Sequence, residues 1–311
     1  EDRQDSQEQI MTISAKVIAD SVSSWGVRIT TMELEYPRFI HSEFMTHRMF
    51  SRNASSSRAI PVQNMIDQVK NNLAMPIHWG KNQAGMQARE EVEFPDIADE
   101  IWRYGANRAV DVAIHLKDCE LHKQIVNRVL EPFQHIKAII TATEWDNFFK
   151  LRLHSDAQPE MYELARVMKE AIDNNKPAKL KPGEWHLPYV SSKKQEDGLW
   201  IGLNTDCPVF DYDKAIKCSI ARCARVSYLN HDNSYPDIEK DIALADKLLE
   251  AGHMSPFEHQ ATPMDYIYRK GINDWEDAEG ITHLDRNGQL WSGNFKGWIQ
   301  YRQLINQTSQ F

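Results

Sequence analysis

Long apolar runs are absent from this sequence. No stretch of its 311 residues approaches the roughly 20 consecutive apolar residues that a membrane-spanning helix needs. Residues 1–9 are polar and acidic, unlike the basic and then apolar start of a secretory signal. We therefore expect a cytoplasmic protein with no membrane partner.

Cysteine is scarce and unpatterned. The four cysteines, Cys119, Cys207, Cys218 and Cys223, include no CxxC spacing. They signal neither a disulfide framework nor a thiolate zinc site. We expect reduced thiols and no metal site.

The chain also lacks an excess of basic residues. It carries 36 Lys and Arg against 45 Asp and Glu, which gives a formal net charge of −9. Such a charge repels nucleic acid at long range, so it argues against a protein that coats DNA or RNA. Any phosphate must then bind in a local pocket, as a nucleotide does.

One short segment stands out against this acidic background. Residues 46–58 contain three arginines, one histidine and four serines. Serine hydroxyls, backbone N–H groups and guanidinium forks are the donors that bind phosphate oxygens well. A solvated polar loop is the simpler interpretation of such a run, and the rest of the sequence must decide between the two.

Hydrophobic periodicity predicts a mixture of strands and helices. A strand pair is expected within residues 11–35, with its turn near residues 23–26, and Gly252 is expected to end a helix. Aromatic residues at helical spacing, such as Trp145 and Phe148, are expected in the core. Helices are predicted over residues 39–50, 96–130 (one or two), 141–153, 159–172, 238–251 and 297–304, a helix or strand over 215–228, and a long connection over 174–213.

Three separated segments together point to one family. The first is residues 46–58, with His47-Arg48 followed by Ser51, Asn53, Ser56 and Arg58. The second is residues 147–152 with Ala157-Gln158 and Glu160, and the third is residues 224–227 with 252–259, which read ARVS and GHMSPFEH. Together they resemble the signature segments of flavin-dependent thymidylate synthases. The third segment comes first in the usual member, so the resemblance implies a circular permutation.

The resemblance implies a fold and a domain organisation. The fold is expected to be α/β of the α+β type, with a mixed β-sheet and long core helices. Residues 1–10 are expected to form a disordered tail. Residues 11–311 are expected to form one catalytic domain, divided into a substrate loop with core helices (11–173), a connection (174–213) and a flavin-binding segment (214–311).

The resemblance also assigns roles to individual residues. It implies FAD as cofactor, methylenetetrahydrofolate and NADPH as co-substrates, and transfer of a one-carbon unit to C5 of dUMP in a homotetramer with sites between subunits. Arg152 is expected to orient the pyrimidine and to be catalytic. The implied FAD contacts are His47, Arg48, Asn147, Ser227, His253, Ser255 and Glu258, and the implied substrate contacts are Glu43, Ser56, Ser57, Arg58, Arg128 and Arg152.

Three positions depart from the family pattern on the substrate side. Thr46 replaces an arginine, Ala54 replaces a glutamate, and Glu43 stands where a glutamine is usual. A carboxylate at position 43 can accept a hydrogen bond from an exocyclic amine, as carboxylates do with cytosine. A methylase or hydroxymethylase of another pyrimidine nucleotide such as dCMP is therefore an alternative, and so is a non-catalytic flavin-binding or nucleotide-binding homologue.

Overall fold

Five strands form the central sheet of the computed structural model, which describes residues 13–195, 198–202, 208–209, 212–226, 237–268, 276 and 278–305. The predicted tail of residues 1–10 lies outside this range, as do Cys207 and Ser227. The strands are β1 (Ser14–Ser23), β2 (Arg28–Pro37), β3 (Ser51–Ala54), β4 (His135–Ala142) and β5 (Ala178–Leu180). Their order is β3-β4-β2-β1-β5, with β1 and β5 parallel and the other neighbours antiparallel. The predicted strand pair and mixed sheet are thus confirmed.

The turn between β1 and β2 follows from its sequence. Gly26 has φ +78°, a conformation that glycine adopts without steric cost, and its N–H donates to the carbonyl of Ser23 over 3.0 Å. The register that follows pairs Val17 with Met32 and Ser14 with Glu35.

The two faces of the sheet have different roles because successive side chains of a strand point in opposite directions. On one face, Met32, Leu34 and Tyr36 are fully buried in the largest core cluster, together with helix α6 (Pro159–Asp173). Burial of each such side chain contributes about 1.5–3 kcal/mol. On the other face, Thr31 Oγ1 lies 2.8 Å from His186 Nε2 and 2.7 Å from Thr141 Oγ1.

Helices surround this sheet. They are α1 (His41–Phe44), α2 (Val62–Asn71), α3 (Pro95–Asp118), α4 (Lys123–Val126), α5 (Asp146–Arg152), α6, α7 (Tyr212–Arg225), α8 (Ile238–Glu250) and α9 (Tyr301–Leu304). Helix α6 matches its prediction closely. Helix α8 ends as predicted, because Gly252 has φ +71° and the N–H of His253 donates to the carbonyl of Leu248 over 2.9 Å. Among the helices described, none has both the length and the apolar character of a membrane span.

Several sequence expectations were wrong in detail. The connection over residues 174–213 contains β5 and the strands β6 (Ser191–Gln195), β7 (Gly198–Gly202) and β8 (Pro208–Val209). Strand β5 has only three residues, two of them exposed, at the edge of the central sheet, so it carries little periodic signal. The helical spacing within residues 96–130 includes Ile97 and Ile101, but these two are exposed by 52% and 65%, because α3 packs through Ala106, Val110 and Ala113 instead.

The C-terminal residues also differ from expectation. The predicted closing helix is a strand, β13 (Trp298–Gln300), followed by the single turn of α9. Strand β13 pairs with β9 (Ala261–Pro263), which directly follows the GHMSPFEH segment. A small sheet of β10 (His283–Leu284), β11 (Leu290–Ser292) and β12 (Phe295–Lys296) precedes it.

Helices α7 and α8 are joined by a buried ion pair. Asp241 accepts a hydrogen bond from Arg222 Nε over 3.0 Å and from Arg225 Nη2 over 2.6 Å, and Arg222 also donates to the carbonyl of Tyr189 over 2.7 Å. The side chains of Arg222 and Asp241 are each only 1% exposed. This pair fixes the end of α7, where the ARVS segment begins.

Candidate active site

Arg152 is the centre of the candidate active site. It is the last residue of α5, and its Nε–H donates to His47 Nε2 over 2.9 Å. Its Nη1 forms an ion pair with Glu43 of α1. Side chains from two of the three family-like segments therefore meet at one guanidinium group, together with one of the three departures from the family pattern.

The contact with Arg152 determines the state of His47. An imidazole nitrogen that accepts a hydrogen bond carries no proton, so the proton of the neutral ring lies on Nδ1. Burial, with the help of the nearby cations Arg152 and Arg52, lowers the pKa of His47 to about 4. The ring is thus neutral at physiological pH, as its role as acceptor requires.

An aromatic cluster holds His47 in place. The His47 ring meets the edge of Phe148 at a centroid distance of 4.9 Å, and Phe148 also contacts Phe44 and Phe50. The backbone carbonyl of His47 accepts a hydrogen bond from Arg52 Nη1 over 2.8 Å. The expected core position of Phe148 is confirmed, and this packing keeps the imidazole in reach of Arg152.

The predicted phosphate loop follows β3. Ser56 and Arg58 are exposed, whereas Ser57 is buried and its hydroxyl donates to Glu131 Oε1 over 2.8 Å. Arg128 Nη1 donates to the same oxygen over 2.9 Å. The structure therefore brings Ser57 and Arg128 together as partners of one carboxylate.

Sequence reasoning missed two residues of this cluster. Arg38 Nη2 forms an ion pair with Glu131 Oε1 over 3.0 Å. Burial lowers the pKa of the Arg38 guanidinium, and Glu131 opposes this shift. No local pattern marks either residue, because Arg38 and Glu131 meet only through the packing of two 3₁₀ segments, Arg38–Ile40 and Asn127–Phe133.

The third family-like segment lies beside the first. A buried amide, Gln300 Nε2 of β13, donates to Ser51 Oγ over 3.1 Å, to the carbonyl of Glu258 over 3.1 Å and to Asn294 Oδ1 over 2.9 Å. Asn294 in turn donates to the carbonyl of Met49 over 2.9 Å. The C-terminal residues thus connect the GHMSPFEH segment to β3.

The residues predicted to contact FAD differ in their exposure and in their partners. Glu258 is half-buried and forms an ion pair with Arg302, a residue that sequence reasoning did not select. The remaining described residues, Arg48, Asn147, His253 and Ser255, are exposed. Ser227 lies outside the described residues, so its role stays a prediction.

A buried chain of polar groups in close contact begins at His259 of the GHMSPFEH segment. His259 Nδ1 and Thr141 Oγ1 are 2.8 Å apart, Thr141 is 2.7 Å from Thr31 Oγ1, and Thr31 is 2.8 Å from His186 Nε2. The other nitrogen of His186 lies 2.9 Å from Ser21 Oγ. Burial lowers the pKa of both His186 and His259 to about 3.

These histidines predict a steep loss of stability in acid. Above a pH of about 6.5 both rings are neutral whether the chain is folded or unfolded, so their contribution to stability is complete there. Between about pH 6 and pH 3 only the unfolded chain binds the two protons. The free energy of unfolding is then expected to fall by up to about 2.7 kcal/mol per pH unit.

Urea denaturation between pH 7 and pH 4 measures this slope. His186→Gln is expected to reduce this slope by up to about 1.4 kcal/mol per pH unit, because one buried base is gone. An identical slope in wild-type and variant protein would contradict the prediction.

Two described cavities lie away from Arg152. One, of about 930 Å³, is lined by Phe39, Trp102 and Pro159 among others, and one, of about 840 Å³, follows β1 and includes Ser21 and His186. Neither of them is lined by Arg152, His47 or Glu43.

Part of this chain matches a known protein family. Residues 27–178 match the family described as "Thymidylate synthase complementing protein". No curated protein matches the sequence. Among solved structures, the UMP/dUMP methylase PolB from Streptomyces cacaoi bound with 5-Br dUMP has a TM-score of 0.42 and 15% identity, covering 51% of this chain and 89% of PolB.

Two further solved structures are similar. PolB bound with 5-Br UMP has a TM-score of 0.40 and 16% identity, covering 51% of this chain and 88% of its own. The flavin-dependent thymidylate synthase ThyX from Helicobacter pylori, complexed with FAD and dUMP, has a TM-score of 0.33 and 14% identity, covering 46% of this chain and 67% of its own.

Proposed function

We propose that this chain transfers a one-carbon unit from methylenetetrahydrofolate to C5 of a deoxypyrimidine monophosphate. The proposal follows from the match of residues 27–178 to the thymidylate synthase complementing protein family. The first choice of reaction is dUMP to dTMP, with FAD as cofactor and NADPH as electron donor. The observation that carries the proposal is the contact of Arg152 with both His47 and Glu43.

Arg152 is proposed to bind the pyrimidine. A guanidinium group has five N–H donors in one plane, and two of them engage His47 and Glu43 among the described residues. These two contacts fix the plane of the fork and leave its other donors to face a ring carbonyl. A fixed cation at that position stabilises negative charge that develops on the ring.

The residues proposed to hold FAD suit a dinucleotide. Arg48, Asn147, His253 and Ser255 are exposed donors, and Arg302 adds a cation beside Glu258. Hydroxyl, amide and guanidinium donors are the groups that bind pyrophosphate oxygens. When bound, reduced flavin supplies the hydride for the reaction.

The direct test is product analysis. The reduced protein is incubated with methylenetetrahydrofolate and, separately, with dUMP or dCMP, and the products are analysed by mass spectrometry. We expect dTMP from dUMP and yellow protein with bound flavin. A protein that binds flavin but leaves it unoxidised through repeated additions of NADPH, folate and nucleotide would be a non-catalytic homologue.

A dCMP methylase or hydroxymethylase is the second candidate. The Glu43 carboxylate lies against the guanidinium proposed to orient the base, where a carboxylate is an acceptor for an exocyclic amine. Turnover of dCMP but not of dUMP would select this candidate, and Glu43→Gln is then expected to shift preference toward dUMP.

Arg302 is expected to support flavin binding. Without it, Glu258, one of the residues proposed to hold FAD, is a half-buried carboxylate that has lost the cation beside it. Arg302→Met is therefore expected to weaken FAD binding by about tenfold, and Arg302→Lys to recover part of the loss. Titration monitored by flavin fluorescence measures both, and unchanged affinity in Arg302→Met would contradict the prediction.

We also infer a cytoplasmic homotetramer with sites shared between subunits. Predicted ligand residues such as Arg48 and His253 are exposed on the single chain, and α3 exposes an apolar stripe at helical spacing, formed by Ile97, Ile101, Tyr104 and Val112. Large exposed apolar patches mark interaction surfaces. Light scattering is expected to give a tetramer, and Ile101→Glu is expected to dissociate it.

A further inference from the structure

Three donors converge on one oxygen atom of Glu131. Ser57 Oγ lies 2.8 Å from Oε1, Arg128 Nη1 lies 2.9 Å from it and Arg38 Nη2 lies 3.0 Å from it. The donors come from three different parts of the chain: the loop after β3, the 3₁₀ segment Asn127–Phe133 and the 3₁₀ segment after β2. They therefore define a point in space where an anionic oxygen is held.

The backbone fixes two of these donors independently of Glu131. The N–H of Arg38 donates to the carbonyl of Gln134 over 2.8 Å. Asn127 Nδ2 donates to the carbonyl of Ser57 over 2.6 Å and to that of Ile60 over 3.0 Å, which anchors the loop. The donor arrangement is thus built into the fold and does not require the carboxylate to create it.

The balance of donors and charge favours a larger anion than a carboxylate. An sp² carboxylate oxygen offers two lone pairs, whereas three donors point at Oε1. Two guanidinium groups surround one carboxylate, and Arg58 adds a further cation in the same loop. A phosphate monoester has three terminal oxygens, so it can give each donor a separate acceptor.

Solvent reaches this cluster. The side chain of Glu131 is 20% exposed, that of Arg38 18% and that of Arg128 53%. Among the described residues, the donors that hold Glu131 at this point are ones that a competing anion can also use. Its carboxylate can therefore turn outward when a phosphate enters.

We propose that Glu131 is an internal anion that occupies the phosphate position of the free protein, and that the phosphate monoester of the substrate displaces it and takes over Arg38, Arg128 and Ser57. Arg38 is then a further phosphate-binding residue. This inference rests on the proposed function only for the identity of the ligand, a pyrimidine nucleoside monophosphate.

Isothermal titration calorimetry of the full chain tests the displacement. The ligands are inorganic phosphate and dUMP, with deoxyuridine as the control that lacks phosphate. Glu131→Gln replaces the competing carboxylate with a neutral amide, so we expect it to bind phosphate and dUMP about tenfold more tightly than wild type. Arg38→Met is expected to bind both about tenfold more weakly.

Two variants elsewhere serve as matched controls. Glu170 pairs with Arg166 on α6 and Arg103 pairs with Asp99 on α3, both at the surface, so Glu170→Gln and Arg103→Met are expected to leave both affinities unchanged. If Glu131→Gln fails to fold, Glu131→Asp replaces it. The shortened carboxylate reaches fewer of the three donors, so tighter phosphate binding is expected here too.

The outcomes separate this inference from the proposed function. Weaker or unchanged phosphate binding in Glu131→Gln, or unchanged binding in Arg38→Met, overturns the inference even if wild-type protein converts dUMP. Tighter phosphate binding in Glu131→Gln together with weaker binding in Arg38→Met supports it, including in a protein that turns over no pyrimidine nucleotide, where only the proposed function fails.

Discussion

Arg152→Met is expected to lower kcat for nucleotide methylation by about 10²–10³, which corresponds to about 2.7–4 kcal/mol of transition-state stabilisation. Methionine keeps the unbranched stem but removes the cation and all five donors. The His47 and Glu43 contacts of the guanidinium disappear with it. The loss is expected mainly in kcat, because the proposed charge stabilisation grows as negative charge develops on the ring.

Steady-state kinetics with dUMP or dCMP, whichever is turned over, measure this effect. Arg152→Lys keeps the charge but not the planar fork, so it is expected to recover only part of the activity. Arg103→Met, which removes an exposed ion pair with Asp99 on α3, is the matched control and is expected to retain wild-type activity. Equal activities of Arg152→Met and wild type would remove Arg152 from the proposed mechanism.

Arg152→Met also changes the surroundings of Glu43, and a double variant controls for this effect. Arg152→Met leaves the half-buried Glu43 carboxylate without its cation. The double variant Glu43→Gln/Arg152→Met removes that carboxylate as well. If lost charge stabilisation is the cause, the double variant is expected to stay as inactive as Arg152→Met, whereas recovery of activity would assign the loss to the unpaired Glu43.

Asp241→Asn is expected to reduce the free energy of unfolding by about 3–5 kcal/mol, because it leaves the buried cation of Arg222 without its carboxylate. Arg225 loses the same partner. Urea denaturation monitored by circular dichroism measures the change.

The same two helices provide a matched control. Lys217 of α7 and Asp246 of α8 form an ion pair at 2.7 Å, with side chains 36% and 45% exposed. Exposed pairs contribute only about 0–1 kcal/mol, so Asp246→Asn is expected to change stability by no more than that. Equal losses in the two variants would show that burial does not decide the strength of these pairs.

Sequence alone predicted the elements whose signals are local. The β1–β2 hairpin, α6 and the end of α8 at Gly252 depend on alternation, helical spacing and a single glycine, all of which lie within a few residues. The family resemblance is confirmed over residues 27–178. The circular permutation and the roles of the individual site residues stay predictions.

Other elements needed the tertiary structure. Strand β4 is buried on both faces except at Lys137, so its apolar run lacks the alternation that distinguishes a strand from a buried helix. Strand β13 has only three residues, too few for an alternating pattern to show in the sequence, and it was predicted as helix. It forms only because β9, more than thirty residues earlier in the chain, offers it a partner edge.

The amino-acid sequence supplies the chemical groups of the site: Arg152, His47, the serines and arginines of residues 46–58, and the GHMSPFEH segment. Which of these groups meet depends on how the elements pack in three dimensions. Arg152 pairs with Glu43 across 109 positions of sequence, Arg302 pairs with Glu258 across 44, and Arg38 joins Glu131. An ion pair depends on distances of a few ångströms, and those distances are set by packing between elements that no local pattern records.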